Sequence, residues 1–332
     1  MERLKAAIIG CGNRSQAHAK AALEGGCLEL IHACDIIPEK ADACAEKWGA
    51  KATYAHKDVL DDPDVDVVLI VTNVDAHLPI ALDALDAGKH VVVEKPVGDR
   101  LDLAEELVKK EAETGLVVYV SFQLRFMPEY ARLKQLSDEI CVKQILFERQ
   151  RGMMRDHFLN PSPFCGLFDF VPHDCDQVSW YMDASPIAIT AVTRQNTFTR
   201  DTGATDLMSA LVDFGDGRSA VILSSIGAAE IGNRIDLVGD KGNISVSAGS
   251  PERGAIFEPY SLKVGGKTPK QPLPELVKPD CVGDAALQRA FATEIRTGER
   301  SHAARPADGL SALRFTLACH QSGQEGCRRI EL

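Results

Sequence analysis

Two different patterns of apolar and polar residues divide the chain. The first 120 residues alternate short, purely apolar runs with amphipathic stretches, which is typical of buried parallel strands joined by helices. The pattern predicts strands at 6–9, 28–34, 65–71, 91–93 and 116–120, and helices at 16–24, 38–48, 76–86 and 100–113. We therefore expect a doubly wound α/β domain of the Rossmann type with a parallel sheet.

Period-two alternation and turn sequences replace this pattern after Gln123. Strands are predicted at 145–149, 187–193, 207–214, 220–225 and 234–238, with FGDG and GDKGN as turns, and helices at 285–296 and 308–322. The Gly- and Pro-rich stretch 249–279 is predicted to be loop and edge strand. The sequence thus predicts two domains, 1–122 and 123–332, the second an α+β domain with a largely antiparallel open sheet.

Composition agrees with two globular domains and narrows the function. The 332 residues are 45% hydrophobic and 26% charged, which excludes a disordered or fibrous chain. A net charge of −11 makes binding to nucleic acid or to an anionic membrane surface an unexpected main activity.

The cysteines and the N-terminus indicate a cytoplasmic protein. The ten cysteines contain no C-x-x-C pair and are interpreted as free thiols in a reducing compartment. The apolar stretch near the N-terminus is short and runs into a glycine turn, so it is interpreted as a strand and not as a signal peptide. No stretch reaches the ~20 apolar residues that span a bilayer.

A dinucleotide site is predicted where IIGCGNRSQAH joins the first strand to the first helix. Gly10 allows a tight turn, and Gly12 lets backbone N–H groups approach a pyrophosphate beside the helix N-terminus. Ser15 replaces the third glycine of the pattern and keeps that position small.

Asp35 ends the second predicted strand, 23 residues after Gly12. A carboxylate there would accept hydrogen bonds from ribose hydroxyls and repel a 2′-phosphate, so NAD is favoured and NADP is less expected. The alternative is that Asp35 is a helix cap or turn residue before Pro38.

A lysine follows another strand in AGKHVVVEKP. Groups at the carboxyl ends of parallel strands face the ligand crevice, so Lys95 is expected to point toward the reactive end of a cofactor. There it could donate to a substrate oxygen. The alternative is a solvated surface lysine paired with Glu94.

An aspartate and a histidine lie four residues apart in GLFDFVPHDCDQVSWYM. On a helix, Asp169 and His173 would share one face, and the carboxylate could orient an imidazole that takes a hydroxyl proton. Asp169 could instead be an N-cap, with Pro172 in the first turn, and Asp176 is a rival partner for His173.

Together these motifs resemble the Gfo/Idh/MocA oxidoreductase family. The resemblance rests on GCGNRSQAH, on Thr72 followed five residues later by His77, on AGKHVVVEKP, on the D-x-x-x-H-x-x-D of the second half, and on RPADGLSAL near the C-terminus. It covers nearly the whole chain. One departure is that the family's usual T-P-N reads Thr72-Asn73-Val74 here.

The resemblance implies a Rossmann domain, followed by an α+β domain whose open sheet forms a homodimer or homotetramer interface. It implies a catalytic group of Lys95, Asp169 and His173. It also implies a set of cofactor-binding residues. These are Gly10, Gly12, Asn13, Arg14, Asp35, Thr72, Asn73, His77, Glu94 and Lys95.

Several potential cations lie between the two catalytic elements. Arg125, Arg151, Arg155 and His157 could recognise polyol hydroxyls or an anionic group, and we expect Arg125, Arg155 and His157 to contact substrate. Surface charges are the alternative. No metal site is expected, because the spacing of His157, Cys165, His173 and Cys175 matches no compact ligand pattern.

The hypothesis that follows is an NAD-dependent dehydrogenase or reductase acting on CH–OH groups of a sugar, cyclitol or sugar derivative. Two alternatives stay open: an NAD-dependent glycosidase that oxidises its substrate transiently, and a non-enzymatic NAD-binding regulator of the same fold.

Overall fold

The computed structural model describes residues 2–152, 167–195, 205–228, 232–249, 261–263 and 280–332. Contacts between residues divide the chain into two units. The first contains Met1–Pro128 and Lys278–Leu313, and the second contains Glu129–Val277 and Arg314–Leu332.

The first unit contains a six-stranded parallel sheet in the order β3-β2-β1-β4-β5-β6. Its strands are β1 Leu4–Ile9, β2 Leu28–Cys34, β3 Lys51–Thr53, β4 Val67–Ile70, β5 His90–Val93 and β6 Val118–Val120. The helices between them are α1 Asn13–Gly25, α2 Pro38–Trp48, α3 His56–Leu60, α4 Val74–Asp86 and α5 Leu101–Thr114, and a 3₁₀ segment Gln123–Phe126 follows β6. This is the predicted doubly wound fold, in which the order of the strands reverses between β1 and β4.

The central strands form the core because nothing polar interrupts them. All four residues of β4 and Val91, Val92 and Val93 of β5 are fully buried, as expected for strands covered by helices on both faces. The sequence signals at α2 match its observed ends, with Pro38 at the first helical position and Gly49 in the left-handed conformation after the last.

The second unit contains an eight-stranded sheet in the order β13-β12-β11-β7-β10-β9-β8-β14. Only β7 and β10 pair in parallel among the described strands, so the sheet is largely antiparallel as predicted. Its strands are β7 Val142–Gly152, β8 Ala188–Arg194, β9 Leu207–Gly215, β10 Arg218–Ala228, β11 Gly232–Gly239, β12 Gly242–Gly249, β13 Ser261–Lys263 and β14 Ile330–Glu331. The helices α6 Pro128–Ile140 and α7 Leu167–Met182 precede most of them.

One face of this sheet is buried and the other is open. Phe147, Ile222 and Ile235 are buried on the face against which α7 packs. Leu211 and Leu223 lie on the opposite face and are 58% and 36% exposed. The strands therefore show the alternation that the sequence predicts for a half-covered antiparallel sheet.

The chain returns to the first unit near its end. Helix α8, Gly283–Thr297, packs against α1, and helix α9, Pro306–Gln324, begins in the first unit and continues into the second. The division thus differs from a single cut after residue 122, because α8 buries Leu287 and Phe291 in the same core as β1 and β4. Among the described helices, none combines the length and the apolar character needed to cross a membrane.

Candidate functional site

The turn after β1 requires glycine at its first position. Gly10 has φ +98°, and a Cβ there would lie 2.5 Å from the carbonyl oxygen of Val71. Gly12 precedes α1, and a Cβ on it would have no heavy atom within 4 Å. Ser15 is fully buried, and its hydroxyl donates a hydrogen bond to the carbonyl of Gly12 at 2.6 Å, which stabilises the turn.

Asp35 is built into this same turn. One carboxylate oxygen accepts the backbone N–H of Cys11 at 2.8 Å, and the other accepts the N–H of Ile37 at 2.9 Å. The side chain is partly buried, whereas that of the following Ile36 is 86% exposed. Asp35 thus has the turn role that was its alternative reading, and it also holds a negative charge beside the glycine turn.

His77 joins the loops that follow β4 and β5. Its ring is buried, with Nδ1 2.9 Å from the carbonyl oxygen of Pro96 and Nε2 3.1 Å from that of Thr72. Burial lowers the pKa of the imidazole, although both carbonyls act to raise it. Both ring nitrogens thus lie beside backbone carbonyls, so His77 connects the Thr72 loop to the Pro96 loop, and its contact with a cofactor stays a prediction. Asn73 is exposed at the N-terminus of α4.

Glu94 is the centre of a buried polar network at the end of β5. Its carboxylate contacts Arg14 Nε at 2.6 Å and His18 Nε2 at 2.7 Å, and accepts the backbone N–H of Lys95 at 3.0 Å. Burial acts to raise the pKa of Glu94, but His18 and Arg14 outweigh it and hold this pKa well below the usual range. Glu94 is therefore ionised and fixes the backbone at Lys95.

Arg14 extends the network to α8. Its two terminal nitrogens donate to both carboxylate oxygens of Asp284, at 2.7 and 2.8 Å. Arg14 and Glu94, whose cofactor contacts stay predictions, are thus paired within the chain. A search for local motifs could not find the pair of Arg14 and Asp284, because the two residues are 270 positions apart. Exposed Asn13 begins α1.

The same cluster has the donor set of a cation site. The nearest ligand atoms of His18, Glu94 and Asp284 lie within 4.8 Å of one another. The guanidinium of Arg14 already binds both carboxylates, so the positive charge in this cluster comes from the protein itself.

Lys95 follows β5 at the carboxyl edge of the sheet, and β5 is the neighbour of β4, where the strand order reverses. It is partly buried, which differs from the alternative of a solvated surface lysine. The peptide bond between Lys95 and Pro96 is cis. The position is the one at which ligands meet doubly wound sheets.

Helix α7 carries the predicted acid–base pair in the second unit. The helix begins at Leu167, so Asp169 lies within the first turn and is not an N-cap, and Pro172 lies inside the helix. His173 is therefore one turn after Asp169 on the same face, and it is buried, as is Asp176.

A buried ion pair lies directly after His173. Asp174 contacts Arg149 of β7 at 2.7 Å and accepts the hydroxyl of Ser224 of β10 at 2.5 Å. All three side chains are at most 4% exposed. These contacts connect α7 to β7 and β10, and they were not predicted from the sequence.

The three predicted substrate contacts have different outcomes. Arg125 is 4% exposed and donates to Asp308 at 3.2 Å and to the carbonyl of His302 at 3.5 Å, all in the first unit. It thus pairs with groups of the returning chain, and its contact with substrate stays a prediction. Arg155 and His157 lie outside the described residues.

Two family models match the chain. The N-terminal model, described as "Oxidoreductase family, NAD-binding Rossmann fold", matches residues 4–122. The GFO/IDH/MocA C-terminal domain model matches residues 144–245.

Curated relatives match along most of the chain. A scyllo-inositol 2-dehydrogenase (NAD(+)) of Bacillus subtilis is 27% identical over 257 residues, which cover 74% of each chain. An inositol 2-dehydrogenase of Rhizobium meliloti is 25% identical over 252 residues, covering 74% of this chain and 76% of the relative.

Solved structures share the fold over the full length. Scyllo-inositol dehydrogenase from Lactobacillus casei with bound NAD(H) and scyllo-inositol has a TM-score of 0.83 at 22% identity, with 99% of both chains covered. The WlbA dehydrogenase from Bordetella pertussis, in complex with NADH and UDP-GlcNAcA, has a TM-score of 0.84 at 21% identity, covering 100% of this chain and 98% of that one.

Proposed function

Because the chain belongs to the Gfo/Idh/MocA family of NAD-binding oxidoreductases, we propose that it transfers a hydride between NAD and a secondary alcohol carbon of a sugar, cyclitol or sugar derivative. The names of relatives, inositol 2-dehydrogenase among them, support this substrate class. The observation that carries the proposal is the pair Asp169 and His173, one turn apart on one face of α7.

The residues of the first unit fit a dinucleotide. Gly12 leaves open space where backbone N–H groups at the start of α1 would bind a diphosphate, and Gly10 sets the turn that presents them. Asp35 would accept the ribose hydroxyls with the lone pairs that Cys11 and Ile37 leave available. Its charge would disfavour a 2′-phosphate, so we propose NAD as the preferred cofactor.

Thr72 and Asn73 would bind the nicotinamide half of the cofactor. They follow β4, at the carboxyl edge of the sheet, and His77 holds the Thr72 carbonyl against the loop that contains Pro96. NAD, when bound, supplies the hydride acceptor for an alcohol or, as NADH, the donor for a ketone.

His173 would act as general base on the substrate hydroxyl. The proton passes from the hydroxyl oxygen to the imidazole as hydride leaves the same carbon, and the reverse reaction returns it to the ketone oxygen. Asp169 would orient the ring or bind a neighbouring hydroxyl from the same helix face. Burial of His173 keeps competing water away from this proton transfer.

Lys95 would stabilise negative charge on the reacting oxygen. An ammonium donor held in place before the reaction stabilises a developing alkoxide without reorganising during the step. Glu94 fixes the Lys95 backbone, and Arg14 and His18 fix Glu94. We assign these three residues a positioning role. Arg155 and His157 remain proposed substrate contacts.

We also propose that the enzyme is a homodimer or homotetramer that associates through the open face of the second sheet. Leu211 and Leu223 there expose apolar surface of the kind that a partner subunit covers. A cytoplasmic location fits the nine described cysteines, which are free thiols.

A substrate panel tests the proposal. Purified enzyme is incubated with cyclitols, aldoses, sugar acids and sugar phosphates, each with NAD and with NADP, and nicotinamide absorbance is followed. We expect steady NADH formation with at least one polyol or sugar. Product sugar released without net NADH would favour a transient-oxidation glycosidase, and NAD binding without any turnover would contradict the proposal.

A further inference from the structure

Two arginines of β7 lie on the face that packs against α7, and they differ in whether a carboxylate forms an ion pair with them. Arg149 and Arg151 are two residues apart on one strand, so their side chains lie on the same face of the sheet. Arg149 is neutralised by Asp174, which lies 2.7 Å away and is also held by Ser224. That ion pair is complete within the protein.

Among the described residues, Arg151 forms no ion pair like that of Arg149. Its guanidinium stacks over the ring of Phe170, 4.5 Å from the ring centroid. Its Nε is buried, and no described acceptor forms a hydrogen bond with that atom. Asp174 and, less strongly, Asp169 attract its charge at longer range.

The surroundings of Arg151 disfavour its positive charge. Burial, and then the neighbouring charge of Arg149, lower its pKa to about 10. The group is still protonated at neutral pH. Because this side chain is largely withdrawn from water and forms no ion pair with a described carboxylate, an anion from outside would be attracted to it strongly.

We propose that Arg151 binds an anionic substituent of the substrate, a carboxylate or a phosphate, so that the enzyme acts on an acidic sugar derivative in preference to a neutral cyclitol. The inference rests on the proposed function, because Phe170, the residue on which Arg151 stacks, lies three residues before His173 on α7, a rise of roughly 4.5 Å along the axis. A planar guanidinium forms two parallel hydrogen bonds with either anion.

Equilibrium binding tests the inference without requiring turnover. The NADH-loaded enzyme is titrated calorimetrically with D-glucose, D-glucuronate and D-glucose 6-phosphate, and the three are compared with Arg151→Gln and Arg151→Lys. We expect at least one anion to bind the wild type about tenfold more tightly than glucose, because the guanidinium can form charge-assisted hydrogen bonds with it. The preferred anion identifies a carboxylate or a phosphate as the group that is read.

The variants separate charge recognition from folding. Arg151→Gln should lose the preference for the anion with glucose and NADH binding unchanged, and Arg151→Lys should keep part of it. Arg194→Gln, an exposed arginine of β8, is the matched control and should behave as wild type. The preferred anion should raise the thermal midpoint of the wild type and of Arg194→Gln but not that of Arg151→Gln.

Two results would overturn the inference. One is a wild type that shows no preference for either anion, including the case in which none of the three compounds binds. The other is an Arg151→Gln variant that weakens glucose and anion equally. Neither result depends on hydride transfer. A protein that binds glucuronate but oxidises no substrate would therefore contradict the proposed function without contradicting the anion site.

Discussion

The carboxylate of Asp35 accepts the backbone N–H of Cys11 at 2.8 Å, which connects the end of β2 to the glycine turn after β1. One side chain thus supplies a hydrogen bond that shapes the turn and, in the proposed function, the negative charge that selects the cofactor. Substitutions that remove one property and keep the other separate these roles.

Asp35→Asn should change cofactor choice more than stability. The amide oxygen can still accept the Cys11 N–H, although the amide nitrogen cannot accept that of Ile37. The charge that repels a 2′-phosphate is lost, so the ratio of kcat/KM for NAD over NADP should fall at least about tenfold. Asp35→Ala should show the same change together with a lower thermal midpoint. An unaltered ratio in both variants would remove Asp35 as the selector.

Lys95→Ala and His173→Ala should each lower kcat at least about 100-fold, because each removes a group that moves or stabilises charge in the reaction. NAD binding, followed by fluorescence quenching, should persist in both. Lys109→Ala, on an exposed lysine of α5, is the control and should keep wild-type activity. Full activity in either test variant would contradict the catalytic assignment.

Gly10 and Gly12 should respond in opposite ways to alanine. Gly10→Ala places a methyl group 2.5 Å from the Val71 carbonyl oxygen at φ +98°, and should lower the free energy of unfolding by at least about 2 kcal/mol. Gly12→Ala meets nothing within 4 Å and should unfold within about 0.5 kcal/mol of wild type, with NAD affinity about tenfold weaker. Urea titration and NAD binding measure the two effects, and normal NAD affinity in Gly12→Ala would argue against a diphosphate at this turn.

Glu94 should make stability depend on acid pH. Its pKa is lower in the folded protein than in the unfolded chain, so its contribution is present above about pH 4 and is lost as the pH falls toward the folded-state value. Glu94→Gln should therefore be destabilised by about 3 kcal/mol at pH 7, with the difference from wild type shrinking as the pH decreases below about 4. Urea midpoints at several pH values measure this, with exposed Glu46→Gln as the control. A difference that stays constant with pH would show that Glu94 acts by packing alone.

Leu211→Glu combined with Leu223→Glu should dissociate the proposed oligomer, because charges on the open sheet face resist desolvation against a partner. Light scattering after size exclusion measures the mass. Leu23→Glu, at the same 58% exposure as Leu211 but on α1, should leave the mass unchanged. A double variant with wild-type mass would place the interface elsewhere.

Sequence patterns are reliable here where local physics determines the structure. The ends of α2 follow from Pro38 and Gly49, and β2 is predicted at 28–34, where it is observed, because its apolar run is bounded by turns. Helix α6 is not predicted, although Tyr130, Leu133 and Leu136 give it an apolar face. No element is predicted between residues 123 and 144, where α6 joins the two sheets in sequence.

The site is less predictable than the fold because its contacts are distant in sequence. Gly10, Asp35 and Lys95 are recognisable from their positions at strand ends. The partner of Arg14 on α8 and the partner of Arg149 on α7 depend on tertiary packing, which leaves no trace in a single sequence. The pairing of Arg125 with Asp308 was not predicted for the same reason, since the two residues are 183 positions apart.

The return of α8 to the first unit also affects how the protein is made. When only residues 1–128 have emerged from the ribosome, every strand of the parallel sheet is present. Asp284 and the apolar side chains of α8, which complete the core of the first unit, are still to be made. Until nearly nine-tenths of the chain has been translated, the nascent first unit would lack α8. Arg14 would have Glu94 as a partner but not Asp284.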